Sequence, residues 1–136
     1  MEEHQGEYKM KQNVMLTIFS LLSILFGTFH QADDIARGMS PGGLGNLLVV
    51  VIGVVWLYAT LVLAGRRSGY VIILVLSLLL MIVPVIHLRG VGVGFGTTRS
   101  GGLFFIWTLL ALGVTALFSV ILSARGLWGL RRGQSR

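Results

Sequence analysis

Charge is what this sequence has least of: Asp, Glu, Lys and Arg together make up 12% of its 136 residues. Ordinary soluble domains carry about 25%, and the 54% hydrophobic share and mean hydropathy of +0.85 argue against a soluble fold. Acid is scarcer still. The five acidic residues are Glu2, Glu3, Glu7, Asp33 and Asp34, and none follows Asp34. Proton-coupled carriers place a carboxylate near the bilayer midplane, a depth that none of these five reaches, so the chain lacks the carrier pattern and a small transporter or channel subunit stands as a further alternative reading. Lipid-transfer enzymes that hold magnesium and phosphate on aspartate pairs need further carboxylates downstream, so "DDIAR" does not make one.

Other absences narrow the field. Neither a metalloprotease H-E-x-x-H nor a serine nucleophile motif occurs. The glycine-rich "GVGVGFGTT", residues 90 to 98, lacks the G-K-[ST] ending and the strand-to-helix context of a phosphate loop, and it reads as a flexible outer link. No apolar span contains G-x-x-x-G, so helix dimerisation through that motif is not indicated. There is no cysteine, which fits an outward-facing surface without demanding one. A transmembrane β-barrel would show segments of about ten residues alternating apolar and polar, whereas "NLLVVVIGVVWLYATLVLA" is apolar on every side.

Four windows free of Asp, Glu, Lys and Arg remain, bracketed by Lys11 and Asp33, Arg37 and Arg66, Arg67 and Arg89, and Arg99 and Arg125; they hold 21, 28, 21 and 25 residues. A helix crossing hydrocarbon needs about 20 apolar residues, so each window serves one crossing and none serves two. The expectation is an all-α integral membrane protein, a four-transmembrane-helix bundle with spans near 14–31, 46–64, 70–87 and 103–123. Residues 1–13 and 125–136 are expected as tails. The acidic amino-terminal segment and the missing small-residue cleavage pattern argue that the first helix is retained and is not a signal peptide. "MSPGGLGN" and "GRRSG" are turn chemistry, with Asn46 and Ser68 as expected helix caps.

Basic flanks stay on the cytoplasmic side. Lys9, Lys11, Arg66, Arg67, Arg125, Arg131, Arg132 and Arg136 fall on the side of the termini, against Arg37, Arg89 and Arg99 on the other, eight against three. Both termini are therefore expected in the cytoplasm, in a plasma (inner) membrane. The net charge of +6 is then a topology signal, and no nucleic-acid partner is expected. The tail "ARGLWGLRRGQSR" sets Leu127, Trp128 and Leu130 among four arginines, which suits an inner interface beside anionic lipid. The other partners to expect are membrane lipid in general, a second copy, or a membrane complex.

The candidate site lies in "HQADDIAR". His30 is 16 residues beyond Val14, and His87 is 16 beyond Val71 in the third span, which runs the same way. Both rise about 24 Å, to the outer edge of a core about 30 Å thick. Ser20, Ser23, Gly27, His30 and Asp34 recur at helical spacing, a stripe of small and polar residues suited to helix contacts. Ser77, Met81, Pro84 and His87 make a second stripe, and Thr108, Thr115, Ser119 and Ser123 a third. His30, Asp34 and His87, with Asp33 beside them, have the donor chemistry for a divalent transition metal. His30 and His87 at one depth have the geometry for haem b. The structural alternative is an interfacial ion pair between Asp33 and Arg37 at i+4, with His30 hydrogen-bonded to an aspartate. The reading that takes most of this in is a small non-enzymatic membrane protein with an outward-facing His/Asp site; a redox protein using His30 and His87 is the rival.

Overall fold

The computed structural model describes residues 2–38, 40, 43–88 and 102–134. They form four helices, α1 (Glu2–Ala36), α2 (Leu44–Leu61), α3 (Arg67–Leu88) and α4 (Gly102–Gln134). All four are long and apolar enough to cross a membrane. The chain is a multi-pass, all-α membrane protein, and the outward exposure of its Leu, Ile, Val and Phe side chains along every helix is what hydrocarbon solvent requires.

Two helices extend past the apolar limits. α1 begins at Glu2 and α4 ends at Gln134, with 35 and 33 residues respectively, so both regions expected as tails continue a helix. Hydropathy marks where the membrane stops, not where the helix does; Glu, Gln, Lys and Arg are good helix formers and carry it on into water. At 1.5 Å per residue each runs about 50 Å, well beyond a core of about 30 Å.

α4 packs along both α1 and α3, and among the described residues α2 touches only α1 and α3. The first hydrogen bonds across these contacts fix their direction. Gln12 Nε2 donates to the Leu122 carbonyl oxygen at 3.1 Å and an Arg125 Nη2 donates to Tyr8 Oη at 2.5 Å, so α1 and α4 are antiparallel, and the amino end of α1 lies beside the carboxyl end of α4. The α2–α3 turn lies at the same end, where Tyr70 Oη donates to Asn13 Oδ1. We call this the basic end and the opposite one the His/Asp end.

The bundle interior is hydroxylic. Ser20, Ser23 and Thr60 are buried, as are Ser77, Thr108, Thr115, Ser119 and Ser123, so the hydroxyls of the three stripes turn inward, while Met81 and Pro84 of the second are half-buried. Trp56 Nε1 donates to Ser20 Oγ at 2.7 Å, and Thr60 Oγ1 donates to the Trp56 carbonyl oxygen at 2.9 Å. Thr60 has then used its one proton, so in its 2.6 Å contact with Ser20 the serine is the donor. A closed ring of hydrogen bonds results, Trp56 to Ser20 to Thr60 to Trp56, pinning α2 to α1 in a medium where nothing else could satisfy these groups. Ser23 Oγ donates to the Phe19 carbonyl oxygen at 2.8 Å and lies 3.5 Å from Ser119 Oγ across the α1–α4 contact.

Glycines set the closest approaches. A methyl group at Gly126 would sit 2.6 Å from Tyr70 Cζ and 2.7 Å from Cδ1, so the Tyr70 ring occupies the notch that glycine leaves on α4. At Gly113 a methyl would lie 3.4 Å from Pro84 Cγ; the proline inside α3 leans on a helix face kept flat for it.

Two expected caps are corrected. The N-cap of α2 is Gly43, with φ 64° and no side-chain capping bond, and Asn46 instead accepts from Gln31 Nε2 at 3.0 Å and Ser40 Oγ at 2.7 Å. The asparagine is drawn to the end of α1 because Gln31 offers a donor there. Ser68 does not cap α3, which starts at Arg67. α2 also ends earlier than expected, at Leu61, where the chain turns through Gly65 at φ 75°. The glycine-rich link, residues 90 to 98, lies outside the described residues.

Candidate functional site

The His/Asp end is built on the last two turns of α1. No residue in "HQADDIA" breaks a helix, so α1 continues to Ala36 and places His30, Asp33, Asp34 and Arg37 within two adjoining rows. His30 is buried at 4% exposure, tilted against the Phe105 ring of α4 with centroids 5.0 Å apart. Its Nε2 lies 3.8 Å from Asp34 Oδ2, an ionic contact when the imidazole is protonated and longer than a direct hydrogen bond.

The neighbouring row holds a tighter pair. Arg37 Nε donates to Asp33 Oδ2 at 2.7 Å, with both side chains partly buried. The same guanidinium carbon stands 5.6 Å from the centre of the Phe105 ring. One aromatic ring of α4 therefore serves both rows, meeting the imidazole and the guanidinium. Beside them Gln31, Ser40 and Asn46 tie the loop and α2 to the end of α1.

The sequence-expected residues are thus found in two pairs. His30 goes with Asp34, and Asp33 with Arg37, as expected of an interfacial ion pair. The backbone of His87 lies in the last turn of α3; its side chain, and with it the shared metal or haem b, falls outside the described residues. Among the described residues no group of three or more His, Cys, Asp and Glu side chains is placed to hold a metal ion. Phe105 carries no polar signal in the sequence. Only depth matching points to it, since it stands at the start of α4 as His30 stands near the end of α1.

Comparison with protein-family models, curated proteins and solved structures finds no match for the chain. Fold and site together define a class, a small multi-pass helical membrane protein with its ionisable groups gathered at the two ends of a hydroxyl-lined bundle.

Proposed function

We propose that the protein is a small non-enzymatic membrane component, inserted with both termini in the cytoplasm, that acts through partner contacts at its outward His/Asp end. The observation that carries this reading is the sorting of polar groups. Inside the bundle stand Ser and Thr hydroxyls, among which Ser20 and Thr60 bond to each other across two helices and Ser23, Thr60 and Ser119 bond to backbone carbonyls of their own helices, groups that do not titrate at neutral pH. Ionisable side chains sit at the ends, and at the outward one four of them share a helix edge. A bundle so constructed works through its surfaces. The eight-to-three division of basic residues supports the orientation.

A photo-crosslinking residue at Ile35, half exposed beside the cluster, tests the reading against one at Leu117, 43% exposed at mid-bundle. The expected result is a protein adduct of discrete mass from position 35 alone, reduced several-fold by Asp34→Asn. No adduct, or one indifferent to both Asp34→Asn and His30→Ala, overturns the partner reading. Orientation is tested separately, with a reporter active only outside the cytoplasm: it should work after Phe95 and fail after Arg66.

One observation favours a second reading. The 3.8 Å approach of His30 to Asp34 would suit two ligands of a divalent transition metal, with His87 as a third, and His30 with His87 would suit haem b. A Soret band, or a metal retained in whole-number ratio by the purified chain, would establish that rival in place of the first.

A further inference from the structure

At the basic end, α3 and α4 border a groove of about 590 Å³ lined by Leu74, Ala124, Leu127, Trp128, Arg131 and Arg132. We propose that this groove binds one anionic phospholipid, its phosphate on Arg131 and Arg132 and an acyl chain on the apolar floor. The inference concerns the end of the bundle opposite to the His/Asp cluster and does not depend on it.

The lining is ordered as a lipid is. Leu74 lies seven residues into α3 from Arg67, about 10 Å toward the hydrocarbon, and Arg131 lies seven residues beyond Ala124, about 10 Å toward water. The apolar floor is therefore level with acyl chain and the guanidinium pair level with headgroup. Trp128, 63% exposed, stands between them with the Arg132 guanidinium carbon 5.0 Å from its ring centre, an indole at interfacial depth with a cation on its face.

Charge selects the occupant. None of the lining residues is acidic, and Glu7, on α1 at this same end, is paired with Lys11 at 2.6 Å. Each guanidinium carries a planar fork of donors that matches two oxygens of a phosphodiester, a geometry that an ammonium does not provide. Free phosphate would leave Leu74, Ala124 and Leu127 uncovered. A lipid covers them while its headgroup meets the arginines.

Native mass spectrometry of the full chain, with phosphatidylglycerol and phosphatidylcholine of matched acyl chains, tests this directly. The expected result is a one-lipid adduct formed preferentially with phosphatidylglycerol. Each near-surface cation contributes about fivefold in affinity, so the double variant Arg131→Gln/Arg132→Gln should weaken that adduct about 25-fold. Arg66→Gln/Arg67→Gln, equally exposed at the same end but outside the groove, should change it less than twofold. All four arginines are exposed, so both variants keep the fold, and unchanged helicity by circular dichroism verifies it. Equal retention of the two lipids, or equal loss from the two arginine pairs, overturns the site in favour of diffuse attraction. Displacement by glycerol phosphate at lipid concentrations overturns the commitment to a lipid, and a lipid-free dimer overturns it in favour of a second copy.

Discussion

Gly126→Ala adds one methyl group, and the structure says where the collision falls. The new carbon would stand 2.6 Å from Tyr70 Cζ and 2.7 Å from Cδ1, whereas carbon atoms rest at about 3.5–4.0 Å. The ring must retreat by about 1 Å. It has little room, because Tyr70 is 6% exposed and packs with Leu16, Trp56, Ala59 and Ile73. Retreat also draws the phenol from Asn13, the bond that links α3 to α1. Overpacking costs about 1–3 kcal/mol, and an interhelical hydrogen bond in a membrane protein about 0.6 kcal/mol on average. The sum is about 2–4 kcal/mol. Gly129→Ala is the control, since a methyl there meets nothing within 4 Å, and its effect should stay within about 0.5 kcal/mol. The assay is reversible unfolding of the full chain in mixed micelles, followed by helicity. A compensating pair isolates the cause: with Tyr70→Leu already present, Gly126→Ala should lose at least half its effect, the non-additivity expected of side chains in contact. Equal stability of Gly126→Ala and Gly129→Ala would falsify the reasoning, and so would full additivity with Tyr70→Leu.

The same assay reads three further substitutions. Ser20→Ala breaks the hydrogen-bonded ring and strands the buried Trp56 Nε1, so it should destabilise by about 1–3 kcal/mol, whereas Thr28→Ala, which loses one exposed bond to the Ile24 carbonyl, should fall below about 0.5 kcal/mol; equal values would remove the ring from the account of α2 docking. Gly27→Leu should destabilise by about 1–3 kcal/mol, because a methyl at Gly27 already touches Leu112 Cδ1 at 3.6 Å and Leu80 Cδ1 at 3.9 Å; Gly27→Ala should be tolerated, and a tolerated leucine would refute close α1–α4 packing. Arg37→Ala and Asp33→Asn remove the same ion pair and should each lower stability by less than about 1 kcal/mol. A much larger loss from Asp33→Asn alone would give that carboxylate a role beyond the pair.

The four windows without charge dictate four crossings, because a bilayer of fixed thickness converts a count of apolar residues directly into a number of helices. The inward faces were legible for a related reason: Ser20, Ser23 and Gly27, like Thr115, Ser119 and Ser123, recur at helical spacing, and small and hydroxylic residues in hydrocarbon favour contact with another helix over contact with lipid. The pairing of Asp33 with Arg37 could be read from local spacing alone. Which helices those faces meet was decided by tertiary structure. Nothing in the sequence order sets α4 between α1 and α3, drops Tyr70 into the notch at Gly126, or places Phe105 of α4 against both His30 and Arg37. Those contacts join residues up to 117 positions apart, and they arise from how side-chain volumes fit when helices pack. Helix ends divide in the same way. Hydropathy locates the membrane boundary, but α1 runs from Glu2 and α4 to Gln134 because backbone hydrogen bonds continue a helix wherever its side chains allow, in lipid or in water.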